Sequence, residues 1–419
     1  MMVDKSHPHQ LLSAQPQLTA MTLSSRACAV MLALLPTATV ALHGEAFHAL
    51  LPSTPHEVVR FGGVPASKAS TLSLTVDTHG HSLIVDLTRH ATLYGPNYEH
   101  IVVHSNGSVV SREPAGEHCI YTGTIYDSSD VTRAAARGSA ILSVCGGDVE
   151  GRLRIGATHD LSVSPHPNGD GLHLVMHHAD WGKAIRTEEW SCGVHDDDDH
   201  DHNHRDGSHG HPGLKLEGDR HDHFDRDVAL PAQRRRLGAF PNGYVTPGST
   251  NKYVEIVIVN DFARCEAFTN AGKTLSEMTT RSAGIMAVVD GLYQGGYTGV
   301  PSMKYSIHFS LRAQVSFAHG DPYTPAAYSG NSAETDVDSL LSKFGEWRVA
   351  SKAAGTIPDH DNAQLFSGRD FGATTVGYAP TSAMCMSAST HGINMARVTA
   401  TDSQTAGTVA HEIGHNWGM

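Results

Sequence analysis

The chain is most tightly constrained by its last nine residues, His411-Glu412-Ile413-Gly414-His415-Asn416-Trp417-Gly418-Met419. Two histidines four residues apart lie one above the other on a helix face, so both imidazoles can reach one ion while the glutamate between them stands beside it. This is the donor pattern of a zinc hydrolase, which needs neutral imidazole ligands, an open position for water and a carboxylate to take the water's proton. His411 and His415 fit the first role and Glu412 the last. Bound water falls to a pKa of about 7, so Glu412 can accept its proton at neutral pH and pass it to a leaving amine, while zinc stabilises the oxyanion. The same five-residue pattern also occurs by chance in unrelated helices. Against chance stand Thr401, Asp402 and Ser403, which supply N-cap chemistry, and Gly418, where the helix can break and turn back.

Length and composition allow two or three ordinary globular domains in 419 residues. A formal net charge of −13, with 30 histidines counted neutral, argues against a nucleic-acid partner that needs a basic surface. The apolar stretch from Ala27 to Ala41 follows Arg26 and closes on small residues, as a signal-peptide core does. At about 15 residues it is too short to span a bilayer, which takes about 20. Residues 1–41 are therefore expected to be a signal peptide, with translation from Met21 giving the more compact start; a buried apolar helix is the alternative. No other segment could cross a membrane, and anchoring is not readable. Of six cysteines, Cys28 should leave with the leader, and Cys119 and Cys145 are the best candidates for a disulfide in an oxidising compartment. Cys192, Cys265 and Cys385 then remain, which suggests a free thiol with a task or partners past Met419. Asn106-Gly107-Ser108 is an N-glycosylation acceptor that fits secretion.

From about Glu57 to His178 the chain alternates in short runs broken by turn residues: Ser70 to Val76, Ser82 to Leu87, His100 to His104, Cys119 to Tyr126, Ser139 to Val144 and Leu172 to Met176. That spacing favours a β-rich domain. The chain changes character from His195 to Asp227, and its run from His195 to His211 has almost nothing apolar to bury, so a disordered linker is expected over 195–236, ending in Arg234, Arg235 and Arg236. Its imidazoles and carboxylates could bind Zn²⁺, Cu²⁺ or Ni²⁺ loosely or serve as a polar spacer. After Tyr253 the pattern becomes α/β, with a buried strand at Tyr253 to Val259, helices at Thr274 to Leu292 and Asp336 to Ala350, and strands at Tyr305 to Phe317, Leu365-Phe366 and Thr374 to Tyr378.

The stretch from Tyr253 to Met419 resembles the ADAM and reprolysin group of metzincin zinc metalloproteases. The resemblance rests on Tyr253-Val254-Glu255, Phe344-Gly345-Glu346-Trp347-Arg348, the run from His360 to Gly368, Val376-Gly377-Tyr378-Ala379, Met384-Cys385 and Thr408-Val409-Ala410 leading into the zinc helix. It implies an α/β catalytic domain over 245–419, incomplete at its end, with a twisted five-stranded sheet and polypeptide substrate laid along an edge strand at Thr374 to Tyr378. By the same resemblance the chain turns back at Gly418 to a third zinc histidine two residues past Met419, so the sequence as given is expected to have little activity. It also implies a zinc endopeptidase of the secretory pathway, acting at the cell surface or outside it. Upstream, the runs from His118 to Gly123 and Ser139 to Gly147 resemble the same family's β-rich prodomain, which places 42–194 there. Ser191-Cys192-Gly193-Val194 then resembles its cysteine switch, in which a thiolate takes the open zinc position and silences the enzyme. Arg234 to Arg236 would be the release site for a proprotein convertase, though Gln233 stands where arginine is preferred. By the same resemblance Glu255 and Asp361 would help bind a structural Ca²⁺. Two rival readings are an inactive protease-like adhesion protein and a secreted histidine-rich metal-binding protein. The intact Glu412 and histidine pair argue against the first, and the second leaves the switch and zinc helix unexplained.

Overall fold

The computed structural model describes residues 55–64, 69–116, 118–156, 158–166, 168–180, 191–192, 251–294, 306–384 and 386–419. All belong to one compact unit, Leu50–Met419. The expected leader, the His/Asp-rich run with its basic cluster, Cys28 and Cys385 lie outside the described residues.

Upstream strands are β1 (Glu57–Val59), β2 (Thr71–Thr78), β3 (His81–Arg89), β4 (Tyr94–His104), β5 (Val109–Pro114), β6 (Ile120–Asp127), β7 (Ala136–Cys145), β8 (Asp148–Ile155), β9 (His159–Pro165), β10 (His173–His177) and β11 (Ser191–Cys192). Alternation builds them: β2 buries every second residue, removing Leu72, Leu74 and Val76 from water while Ser73 and Thr75 face out. Eight strands form an antiparallel sheet in the order β1-β10-β9-β8-β7-β6-β3-β2. Its two edges meet where Gly62 and Thr75 exchange N–H···O bonds of 2.8 and 3.0 Å. Leu74, Leu83, Val85, Leu142, Leu153 and Val163 fill the interior. The expected Cys119–Cys145 disulfide is present, with Cα atoms 5.4 Å apart, an ordinary span for such a bridge.

Downstream lie β12 (Asn251–Asn260), α1 (Phe262–Asn270), α2 (Leu275–Gln294), β13 (Ser306–His319), the small hairpin β14 (Ala327–Tyr328) and β15 (Asn331–Thr335), α3 (Val337–Ala353), β16 (Asn362–Ser367), β17 (Thr375–Tyr378), β18 (His391–Met395) and α4 (Asp402–Trp417). Five of the strands make the expected sheet, in the order β17-β18-β16-β12-β13, with β17 antiparallel to its neighbour and the rest parallel. β12 reads as a continuous apolar run because both of its faces are covered. Ile256 and Ile258 pack with Met286 and Val289 of α2 and Val409 and Ile413 of α4. Val257 and Val259 meet Leu340 and Phe344 of α3 on the other side. Among the described residues no helix is long and apolar enough to cross a membrane.

Two expectations change. The sequence pattern groups His100–His104 with the upstream β-rich strands, but β4 leaves them to pair in parallel with β13, and β5 pairs with β4. With β11 on the far edge, the downstream sheet becomes eight-stranded, β11-β17-β18-β16-β12-β13-β4-β5. The physical reason is burial on both faces: Tyr98 joins the α2/α4 core, whereas Ile101 and Val103 join the α3 core. Cys265 is the second case. Its thiol is free but buried beside Phe268 and Met278, and burial pushes its pKa up to about 12, so it acts as a small apolar side chain with little thiolate character.

Candidate active site

α4 starts and stops as its sequence suggests. Thr401 accepts from the N–H of Gln404 at 3.2 Å, and Gln404 returns the bond to the N–H of Thr401 at 2.8 Å, a reciprocal cap on two donors the helix cannot use. Gly418 ends the helix at φ 82°, a left-handed conformation that side chains resist. Between them His411 Nε2 and His415 Nε2 come within 3.0 Å, with the rings nearly perpendicular at 86°. Two imidazole nitrogens bound to one tetrahedral Zn²⁺ stand roughly 3.3 Å apart, so the pair fits zinc. Among the described residues no group of three or more His, Cys, Asp or Glu side chains is assembled for a metal.

Glu412 is 1% exposed and lies against β17. A Cβ added to Gly377 would stand 2.3 Å from Glu412 Oε1, so glycine is what lets the edge strand approach the carboxylate. The other side of β17 is taken by β11 in parallel, with Ser191 opposite Thr375 and Cys192 opposite Gly377. The edge expected to receive an extended peptide therefore carries a segment of the upstream chain. Its cysteine registers with the residue that backs onto Glu412.

The start of α4 is also touched from upstream. The N–H of Asp402 donates to Glu150 Oε1 of β8 at 2.8 Å, and Ser403 Oγ donates to the carbonyl of Gly151 at 2.9 Å. Arg281 of α2 lies between the two carboxylates, 2.8 Å from Asp402 and 3.8 Å from Glu150. Burial and the neighbouring Asp402 charge push Glu150 up to about 7, with Arg281 opposing. Burial also raises Asp402, again against the pull of Arg281. An undocked Glu150 would return to the ordinary carboxylate range, so docking takes up a proton. The contact is strongest below that range, weakens as pH rises, and has lost this contribution once pH passes about 7. With the chain cut between residues 192 and 251, the two pieces are expected to bind about tenfold more tightly at pH 6 than at pH 8. Glu150→Gln should flatten that dependence, and an unchanged pH profile of the dissociation constant would refute the assignment.

Glu255 and Asp361 are neighbours. Asp361 Oδ2 accepts from the N–H of Glu255 at 2.9 Å, while Glu255 Oε1 lies 3.6 Å from Arg312. Arg348 and His360, both from the motifs that carry the resemblance, are buried together, Nη1 to Nε2 3.3 Å. Sequence reasoning missed Glu150 and the role of Gly377. The glycine lay within a quoted motif, but Glu150 gave no signal because its partner lies 252 residues away.

Comparison with known proteins agrees with this geometry. Residues 250–419 match the family model described as metallo-peptidase family M12, and residues 39–126 match that of the reprolysin family propeptide. Disintegrin and metalloproteinase domain-containing protein 19 of Mus musculus is 27% identical over 350 residues, covering 83% of this chain and 31% of that protein. Its Homo sapiens counterpart is 26% identical over 350 residues, covering 83% and 30%. The chain thus spans about a third of the length of these curated relatives.

Proposed function

We propose that this chain, which belongs to the ADAM and reprolysin group of M12 metallopeptidases and carries their propeptide, is the latent form of a zinc endopeptidase. His411 and His415 would hold zinc through Nε2, joined in the latent form by Cys192 as a thiolate. When bound, zinc supplies Lewis acidity, acidifying water to a pKa of about 7 and offsetting the charge that develops on a peptide carbonyl. Glu412 takes the proton of the attacking water at its carboxylate and gives it to the leaving amine. β17 aligns the extended substrate through main-chain hydrogen bonds once β11 has left. A cut by a proprotein convertase after Arg236 separates Cys192 from the downstream domain. The substrates are extracellular or cell-surface polypeptides reached through the secretory pathway.

The observation that carries this reading is the register of Cys192 with Gly377, beside the carboxylate that the chemistry requires. The test is hydrolysis of quenched peptides by the full-length protein before and after cutting at Arg236. Activity should emerge on cutting, vanish with a zinc chelator and return with zinc. A cut, zinc-loaded protein that cleaves no peptide library would overturn the reading.

A further inference from the structure

The segment His411–His415 is held at both ends by buried polar side chains that the zinc chemistry does not itself use. Before it, Tyr293 of α2 donates its O–H to the carbonyl oxygen of Ala410 at 2.8 Å, and its ring packs edge-on against Phe309 with centroids 5.2 Å apart. After it, Asn416 Nδ2 donates to Pro380 O at 2.9 Å and to His391 O at 3.1 Å, while its Oδ1 accepts from Asn362 Nδ2 at 2.7 Å. The chain of amides continues into the sheet. Gln364 Nε2 donates to Asn362 Oδ1 at 2.7 Å, and Asn394 Nδ2 donates to Gln364 Oε1 at 2.8 Å. Asn416 is 1% exposed and the other three amides are fully buried.

Polar residues are unexpected in such a place. Asn362 and Gln364 share one face of β16, whereas Ala363 and Leu365 on the opposite face pack into the α3 core. Burying amides is costly unless their groups are paired, and apolar residues of like volume typically hold a helix on a sheet at least as well. What directional bonds add is one permitted register. The loop after β17 reinforces it, because the N–H groups of Ser382 and Met384 donate to the carbonyls of His415 and Asn416, each at 2.8 Å.

We propose that Tyr293 and Asn416 are positioning residues that set the rotation and height of α4 so that His411 Nε2 and His415 Nε2 face one point. The proposal rests on the zinc reading above. Its test is zinc affinity by chelator competition in the full-length protein, with the melting temperature of the apoprotein recorded alongside. Tyr293→Phe keeps the ring and removes only the O–H, so the fold should persist. Zinc should bind about tenfold more weakly, the scale on which groups that orient metal ligands act, and after cutting kcat should fall with KM unchanged. Asn362→Ala breaks the amide chain one step from α4 and should weaken zinc to a similar degree; should it fail to fold, Tyr293→Phe decides alone. Wild-type zinc affinity in Tyr293→Phe would overturn the proposal. If the wild-type protein binds zinc but cleaves nothing, the peptidase reading fails, while the affinity comparison still decides the positioning role.

Discussion

Full-length protein carrying Glu412→Ala, once cut, is expected to lose about 10²–10⁴-fold in peptide hydrolysis while keeping its zinc. The spacing His411-Glu412-Ile413-Gly414-His415 turns the two imidazoles to one side of α4 and sets Glu412 between them in the chain. Glu412 is buried against Gly377, where bulk water cannot replace its carboxylate. In the proposed mechanism it acts on the water's proton and not on the ion, so its removal should leave metal binding intact. The check is kcat/KM on a quenched peptide together with zinc content per chain. Zinc lost along with activity would make Glu412 a ligand and overturn its assignment as the base.

The second large effect concerns latency. In uncut full-length protein, with Arg234, Arg235 and Arg236 replaced to block processing, Cys192→Ala should raise activity about tenfold or more, because no thiolate then competes with water for zinc. The gain should fall short of that produced by cutting. The backbone of β11 still lies along β17 in the substituted protein and still denies substrate its main-chain partners. Rates for the two uncut proteins and the cut enzyme, on one peptide, separate the thiol's share from the strand's. Equal rates for the two uncut proteins would assign latency to the strand alone.

Much of this was legible in the sequence where local chemistry decides structure. The cap at Thr401, the break at Gly418 and the histidine spacing specify α4 without reference to anything distant. The β-branched run of β12 declares burial on both faces, and Thr375–Tyr378 forms as a strand where one was expected, with β11 and not solvent along its outer side. What could not be read was partner choice. β4 is as apolar over Ile101, Val102 and Val103 as a strand of either sheet, and nothing local says that it will leave its upstream neighbours for β13. The bond from Asp402 to Glu150 likewise joins residues whose proximity only the fold creates. β16 is buried along its whole length, but Asn362 and Gln364 break the continuous apolar run that would mark such a strand, so the pattern picked out only Leu365-Phe366. Three of the six cysteines called for pairing or a task from counting alone, and for Cys265 the fold supplies a third outcome, burial in a core.

In the proposed latent form one metal site is shared by the histidines of α4 and the cysteine of the upstream segment. X-ray absorption at the zinc edge of uncut full-length protein reads out that shared site. One sulfur at about 2.3 Å beside nitrogen ligands at about 2.0–2.1 Å is expected, with the sulfur lost in Cys192→Ala and after cutting and release of the upstream piece. A zinc shell of nitrogen and oxygen alone in the uncut wild-type protein would rule out the shared site.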